Sequence, residues 1–230
     1  MAKKTAQKPS KKATVAAKTP RTSSTATAVP VMATTRLSRF MPWLLIVGGA
    51  IGIVCSFVIT LDKMKLLENP SFRPNCDLNP IISCGSVMSS AQGSAFGFPN
   101  PWIGLAAFAV LVTIGVGLLA GASYKRWFWL GLLAGSVFGV VFVHWLFYQS
   151  VYRIQALCPY CMGVWAVTIA TFWYTLLYNF EKGFLAIPGT YGARIMTGLR
   201  RHHLDILLLW FIIIAFFIFK HFWYFFGKNL

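Results

Sequence analysis

Charge is scarce in this 230-residue chain: 11% of its residues are charged, and only five are acidic. Hydrophobic residues make up 57% and aromatic residues 16%. That balance excludes an ordinary soluble domain and points to an integral membrane protein. The basic surplus is uneven. Nine of the 21 Lys and Arg residues lie within the first 39 positions, where Asp and Glu are absent. This opening stretch is built of Lys, Ala, Thr, Ser and Pro and cannot bury a core. Residues 1–40 read as a disordered, basic, cytoplasmic, topology-setting tail. Binding of anionic lipid is the alternative, and nucleic acid is not an expected partner. The stretch is too long and polar for a cleavable signal peptide, so the first span is expected to stay as an anchor.

What the chain has in quantity is apolar runs. Five segments, about 41–61, 101–121, 126–149, 157–179 and 204–226, supply the roughly 20 residues a bilayer crossing needs. In lipid only helices of this kind satisfy their own backbone, so all five are expected to be spanning helices in an all-α integral membrane fold. The second and third, joined by Gly121-Ala-Ser-Tyr-Lys-Arg126, should form an antiparallel hairpin. The fifth, dense in Phe and Ile, reads as peripheral and lipid-facing, with 181–230 as a connector plus that helix. With the N-terminus in the cytoplasm, fifteen Lys and Arg fall inside and six outside. That orientation puts the 62–100 loop and the 150–157 connection together in an extracytoplasmic compartment, where disulfide chemistry is normal. A cell-membrane location follows. Within the loop, 62–85 is turn-rich, and 86–99 suits an interfacial or re-entrant half-helix.

Cysteine is also sparse, at five residues, and four of them are paired. Cys76 and Cys84 bracket seven residues in the loop (CDLNPIISC), and Cys158-Pro-Tyr-Cys161 opens the fourth span. A Cys-x-x-Cys at a helix start brings two sulfurs within bonding reach. The unpaired N–H groups and helix dipole there favour a thiolate, and proline suits the first turn. The bland reading is a pair of structural disulfides in a scaffold or transporter subunit. Two pairs on one side of a membrane also make a path for electrons by thiol–disulfide exchange. A zinc site using all four thiolates is disfavoured by the long gap and the external surface, so no metal is expected.

The run Cys76-Asp-Leu-Asn-Pro-Ile-Ile-Ser-Cys84-Gly-Ser-Val-Met-Ser-Ser90, then Phe98-Pro-Asn100, then Cys158-Pro-Tyr-Cys161, resembles the vitamin K epoxide reductase family. It is most similar to bacterial members that oxidise disulfide-forming proteins. The functional cousin DsbB has its Cys-x-x-Cys before the loop pair, the reverse of the order here. The resemblance covers roughly 41–180. It implies a catalytic four-helix bundle around a quinone pocket, with the fifth helix outside, and a quinone cofactor (menaquinone or ubiquinone). It implies that Cys76 exchanges with a DsbA-like thioredoxin-fold partner, a separate protein because no such domain is fused here. Cys84 would then attack Cys158, and Cys161 would lie beside the quinone. Ser90 and Asn100 match residues near the cap and the quinone oxygen. Trp165, four residues after Cys161, stands where many members carry a pocket tyrosine. It can stack and donate through its indole N–H but cannot act as a phenolic acid. Reduction of a quinone epoxide is the alternative activity.

Six further residues are open to a reading. His144 on the third span reads as a partner in an interhelical hydrogen bond rather than a proton carrier. Cys55 reads as a small buried hydrophobe. Arg153 could stabilise a Cys158 thiolate or anchor at the interface. Asp205 reads as a cap or a partner of Arg201, and His202 and His203 as incidental.

Overall fold

The computed structural model describes residues 36–185 and 190–223. The basic tail expected over 1–40 lies almost wholly outside them. Seven α-helices follow in order: α1 (Arg36–Glu68), α2 (Cys84–Ser89), α3 (Pro101–Leu119), α4 (Arg126–Tyr148), α5 (Pro159–Glu181), α6 (Thr190–Arg201) and α7 (His203–His221). Among the described residues there is no strand, only an isolated parallel bridge between Ile82 and Leu157. Helices α1, α3, α4, α5 and α7 are long and apolar enough to cross a membrane. The chain is an all-α, multi-pass membrane protein.

The first span is longer than its apolar run. α1 continues past residue 61 through helix-favouring Lys63, Lys65, Leu66 and Leu67, and ends one residue before Asn69-Pro70. The residue before a proline is pushed out of the α region, so the stop falls where the sequence dictates. This extension carries Lys63 above the apolar segment.

Four helices form the bundle. α3 packs on α1 and α4 packs on α5. The α1–α3 approach is close: a Cβ on Gly49 would lie 2.7 Å from a Val112 methyl and 3.0 Å from the Phe108 carbonyl oxygen. The α3–α4 hairpin turns at Gly121, whose φ of 90° is open to glycine at little cost. Its two helices then diverge, and the sides they turn inward line a cavity of about 540 Å³.

α7 stands outside this bundle, and most of its surface is exposed, as at Leu204, Leu208, Ile212 and Phe216. It is nonetheless fastened to the bundle on one side. Trp210 donates its indole N–H to His144 Nε2 at 3.0 Å, while His144 Nδ1 lies 2.7 Å from the Val140 carbonyl. These bonds fix the neutral Nδ1–H tautomer, as befits a histidine read as an interhelical tie. His203 is not incidental. Its carbonyl accepts from the Trp173 indole at 3.0 Å, and its Nδ1 lies 3.2 Å from the Tyr174 hydroxyl. Asp205 pairs with His202 at 2.8 Å rather than with Arg201, because that histidine sits one turn earlier. Trp210→Phe leaves His144 Nε2 without its donor in an apolar setting. It is expected to lower stability by about 1 kcal/mol in denaturant titrations of the solubilised protein.

α6 was hidden in the connector. Its polar and apolar residues segregate strongly to opposite sides, and Arg200 pairs with Glu181 at the end of α5 at 3.5 Å.

Candidate redox site

The α1–α5 end of the bundle carries a lid, which begins as an ordered loop. Asn79 Oδ1 accepts from the N–H groups of Ile81 and Ile82 at 2.9 and 2.7 Å, and Asp77 Oδ1 accepts from Gly85 N–H at 2.9 Å. Leu78 N–H returns to the Ile82 carbonyl at 2.9 Å. Rather than a loose arm, 76–85 is a pinned turn. Ser83 caps α2 through its hydroxyl, which accepts from Ser86 N–H at 3.2 Å.

Two backbone hydrogen bonds tie this turn to the approach of α5. Leu157 N–H donates to the Ile81 carbonyl at 2.6 Å, and Ser83 N–H donates to the Leu157 carbonyl at 3.0 Å. The chain reaches Leu157 through a π-helical turn (Gln149–Ile154) and Gln155 in a left-handed conformation, φ 58°. The Ser150 hydroxyl holds that corner by donating to the Ala156 carbonyl. Since Cys84 follows Ser83 and Cys158 follows Leu157, the clamp delivers both cysteines to one place. Cys84 and Cys158 are fully buried, in one cluster with Cys76, Ile59 and Met88.

Cys76 and Cys84 are joined in a disulfide, with Cα atoms 5.7 Å apart. Cys158 and Cys161 are free thiols. Cys158 is the N-cap of α5, and its Sγ accepts the Cys161 N–H at 3.4 Å. The Cys161 thiol hydrogen bond, helped by the backbone N–H groups of Cys161 and Tyr160, pulls the Cys158 thiol below its ordinary range despite burial. Asp77 opposes the shift, and Arg153, exposed to solvent, is not among its causes. Local hydrogen bonds account for the shift. Cys55 sits on α1 against Gly163, filling the α1–α5 seam.

Cys161 lies on the cavity wall, together with Ser90, Asn100 and Trp165. All three sequence candidates for cofactor contact therefore line one space, though with unequal freedom. Ser90 is engaged within the lid: its hydroxyl donates to the Val87 carbonyl at 2.7 Å and accepts from Gly93 N–H at 3.3 Å. Asn100 receives the Ala95 N–H at 3.0 Å and donates one Nδ2 hydrogen to the Gln92 carbonyl at 2.7 Å. Its second amide hydrogen remains available. Trp165 is buried and meets Phe147 edge-on at 5.7 Å. The remaining wall is mostly apolar, with Phe108, Leu111, Phe138 and Phe142. Cys76, with Cys84, sits in the buried cluster above.

Sequence reasoning passed over Lys63. It is half-buried, donates to the Met88 carbonyl at the end of α2, and is the only charged side chain on the cavity wall among the described residues. A cation at a helix C-terminus is favoured by the dipole. Lys63 and Asn100 thus tether the lid from α1 and α3. The available signal was a lysine two residues beyond an apolar span. A charge-assisted hydrogen bond contributes about 1.5 kcal/mol or more, so Lys63→Met should speed thiol reduction of the Cys76–Cys84 disulfide about tenfold. Lys63→Arg should restore the slow rate, as read by maleimide gel shift.

Vicinal thiols at a lid over an apolar intramembrane cavity fit a membrane oxidoreductase working through thiol–disulfide exchange. The comparison with protein families agrees: the Vitamin K epoxide reductase family model matches residues 43–176, more than half of the chain. The chain belongs to the Vitamin K epoxide reductase family. The match ends before α6 and α7.

Proposed function

We propose that the protein is a quinone-dependent thiol oxidase of the bacterial type, which reoxidises an extracytoplasmic DsbA-like thioredoxin-fold protein. The single observation that carries this reading is the backbone clamp. By joining 81–83 to 157, it unites the loop disulfide and the Cys158–Cys161 pair in one buried cluster whose inner member, Cys161, faces the cavity. The N-terminus is cytoplasmic in this reading, and the lid lies on the opposite side of the membrane.

Electrons enter when a partner dithiol attacks the Cys76–Cys84 bond. The partner becomes a disulfide and the loop a dithiol. Cys84, as thiolate, then attacks Cys158 in the oxidised inner pair and releases Cys161. Cys76 attacks Cys84 in turn, closing the loop disulfide and releasing Cys158 as a thiolate. Each step exchanges one disulfide for another, and the direction follows the reduction potentials of the pairs, with the quinone as the final electron sink.

A bound quinone would take up the electron pair and two protons from the inner dithiol. The residues present fit such a group. The cavity is apolar and aromatic and long enough along α4 for a prenyl tail, and Asn100 keeps one amide N–H to meet a carbonyl oxygen. Trp165 would flank the ring. Ser90 and Lys63 would act by holding the lid, which keeps water from the sulfurs.

The test is turnover. Protein in phospholipid nanodiscs, given a reduced DsbA-like protein and ubiquinone-1 or a menaquinone analogue, is expected to consume one quinone per partner disulfide formed. Quinone consumption that does not respond to the dithiol protein would defeat the reading.

A further inference from the structure

Asp77 is a carboxylate beside the cysteines that the electron path does not use. Gly85 N–H fixes one of its oxygens at 2.9 Å, so the side chain is held over the loop rather than free in solvent. One carboxylate oxygen of Asp77 and the sulfurs of Cys76 and Cys84 all lie within 4.8 Å of one another. Both sulfurs are buried. While they are bonded to each other they offer no thiolate to a cation. Once reduced, they become two thiolates beside a fixed carboxylate. Zinc bonds of about 2.3 Å to sulfur and about 2.0–2.2 Å to oxygen put tetrahedral donor atoms roughly 3.5–3.8 Å apart; the carboxylate oxygen already lies within 4.8 Å of both sulfurs, which are bonded to each other here and separate to that distance on reduction. Cα atoms 5.7 Å apart need little movement to reach it.

We propose that the reduced loop is a zinc site, formed by Cys76 Sγ, Cys84 Sγ and the Asp77 carboxylate with water in the fourth position, and that zinc bound there arrests the relay. The site exists only in the dithiol state, so access to it is gated by redox. Binding displaces the thiol protons to solvent and moves no electrons. A zinc-bound Cys84 is no longer a free nucleophile for Cys158. The arrest rests on the relay described above. The binding itself does not.

The experiment separates the two. Full-length Cys158→Ser/Cys161→Ser protein in nanodiscs, reduced with a phosphine and freed of it, is titrated with Zn²⁺ against a chromophoric chelator. One equivalent is expected per chain, and none when the loop disulfide is left closed. Co²⁺ in place of Zn²⁺ should give thiolate-to-cobalt absorption in the reduced protein alone. Asp77→Asn, in a protein whose loop disulfide still re-forms, should weaken Zn²⁺ binding at least tenfold. Equal binding by the oxidised protein, or undiminished affinity in Asp77→Asn, overturns the site. In the wild-type protein, turnover should stop with stoichiometric Zn²⁺ and return with EDTA. Turnover undisturbed by bound Zn²⁺ overturns the arrest. A protein that binds zinc yet never reduces quinone would instead count against the oxidase reading.

Discussion

Cys158→Ala is expected to lower thiol-dependent quinone reduction by at least about 10³-fold, the scale on which loss of a reacting nucleophile acts. Cys158 is the only inner thiol in the buried cluster's core that also adjoins the clamp, so no neighbour can take its place between Cys84 and Cys161. The fold should survive. The clamp is made by the backbone of Ile81, Ser83 and Leu157, none of whose hydrogen bonds uses the Cys158 side chain. What is lost structurally is one weak cap, Sγ to the Cys161 N–H at 3.4 Å, costing about 1 kcal/mol. Steady-state quinone consumption together with a thermal unfolding midpoint distinguishes lost chemistry from lost structure.

The second large effect is covalent. In Cys76→Ala, Cys84 keeps its nucleophile and loses its resolving partner. Attack on an oxidised Cys158–Cys161 pair then stops at a Cys84–Cys158 disulfide, which only Cys161 can reverse. Removing Cys161 as well, in Cys76→Ala/Cys161→Ala under a mild disulfide oxidant, should drive that cross-link to most of the protein. The proximity comes from Ser83 N–H to the Leu157 carbonyl at 3.0 Å, one residue before each cysteine. Mass spectrometry of non-reduced peptides reads the linkage directly. In Cys76→Ala with Cys161 retained, a dominant Cys84–Cys161 linkage, or no Cys84–Cys158 cross-link in the double variant, would place the relay on the wrong inner sulfur.

The large elements were legible because their causes are local. Apolar runs of spanning length set the five membrane helices, and Asn69-Pro70 dictates where α1 must stop. The half-helix read over 86–99 was legible only in part: α2 spans Cys84–Ser89 and a 3-10 turn follows at Ala91–Ser94, with the remainder in turns. Other features needed tertiary information. The bridge between Ile82 and Leu157 joins two ordinary apolar residues 75 positions apart, and nothing in either neighbourhood announces it. Lys63 looked like one more positive charge in a topology tally, whereas its partner is a backbone carbonyl 25 residues away. His144 was legible as an interhelical tie, but its partner on α7 was not, because Trp210 gains that meaning only by facing it.

The central claim is that Cys158 and Cys161 deliver their electrons to a quinone in the cavity below them. Differential thiol trapping tests it most directly. Protein with the loop disulfide closed and the inner pair reduced is mixed with a quinone analogue, quenched in acid, and mapped for free thiols by mass spectrometry. The account predicts stoichiometric loss of the Cys158 and Cys161 thiols, one quinone reduced per pair, with Cys55 still labelled and Cys76–Cys84 unchanged. Inner thiols that stay fully reduced under saturating quinone would contradict it.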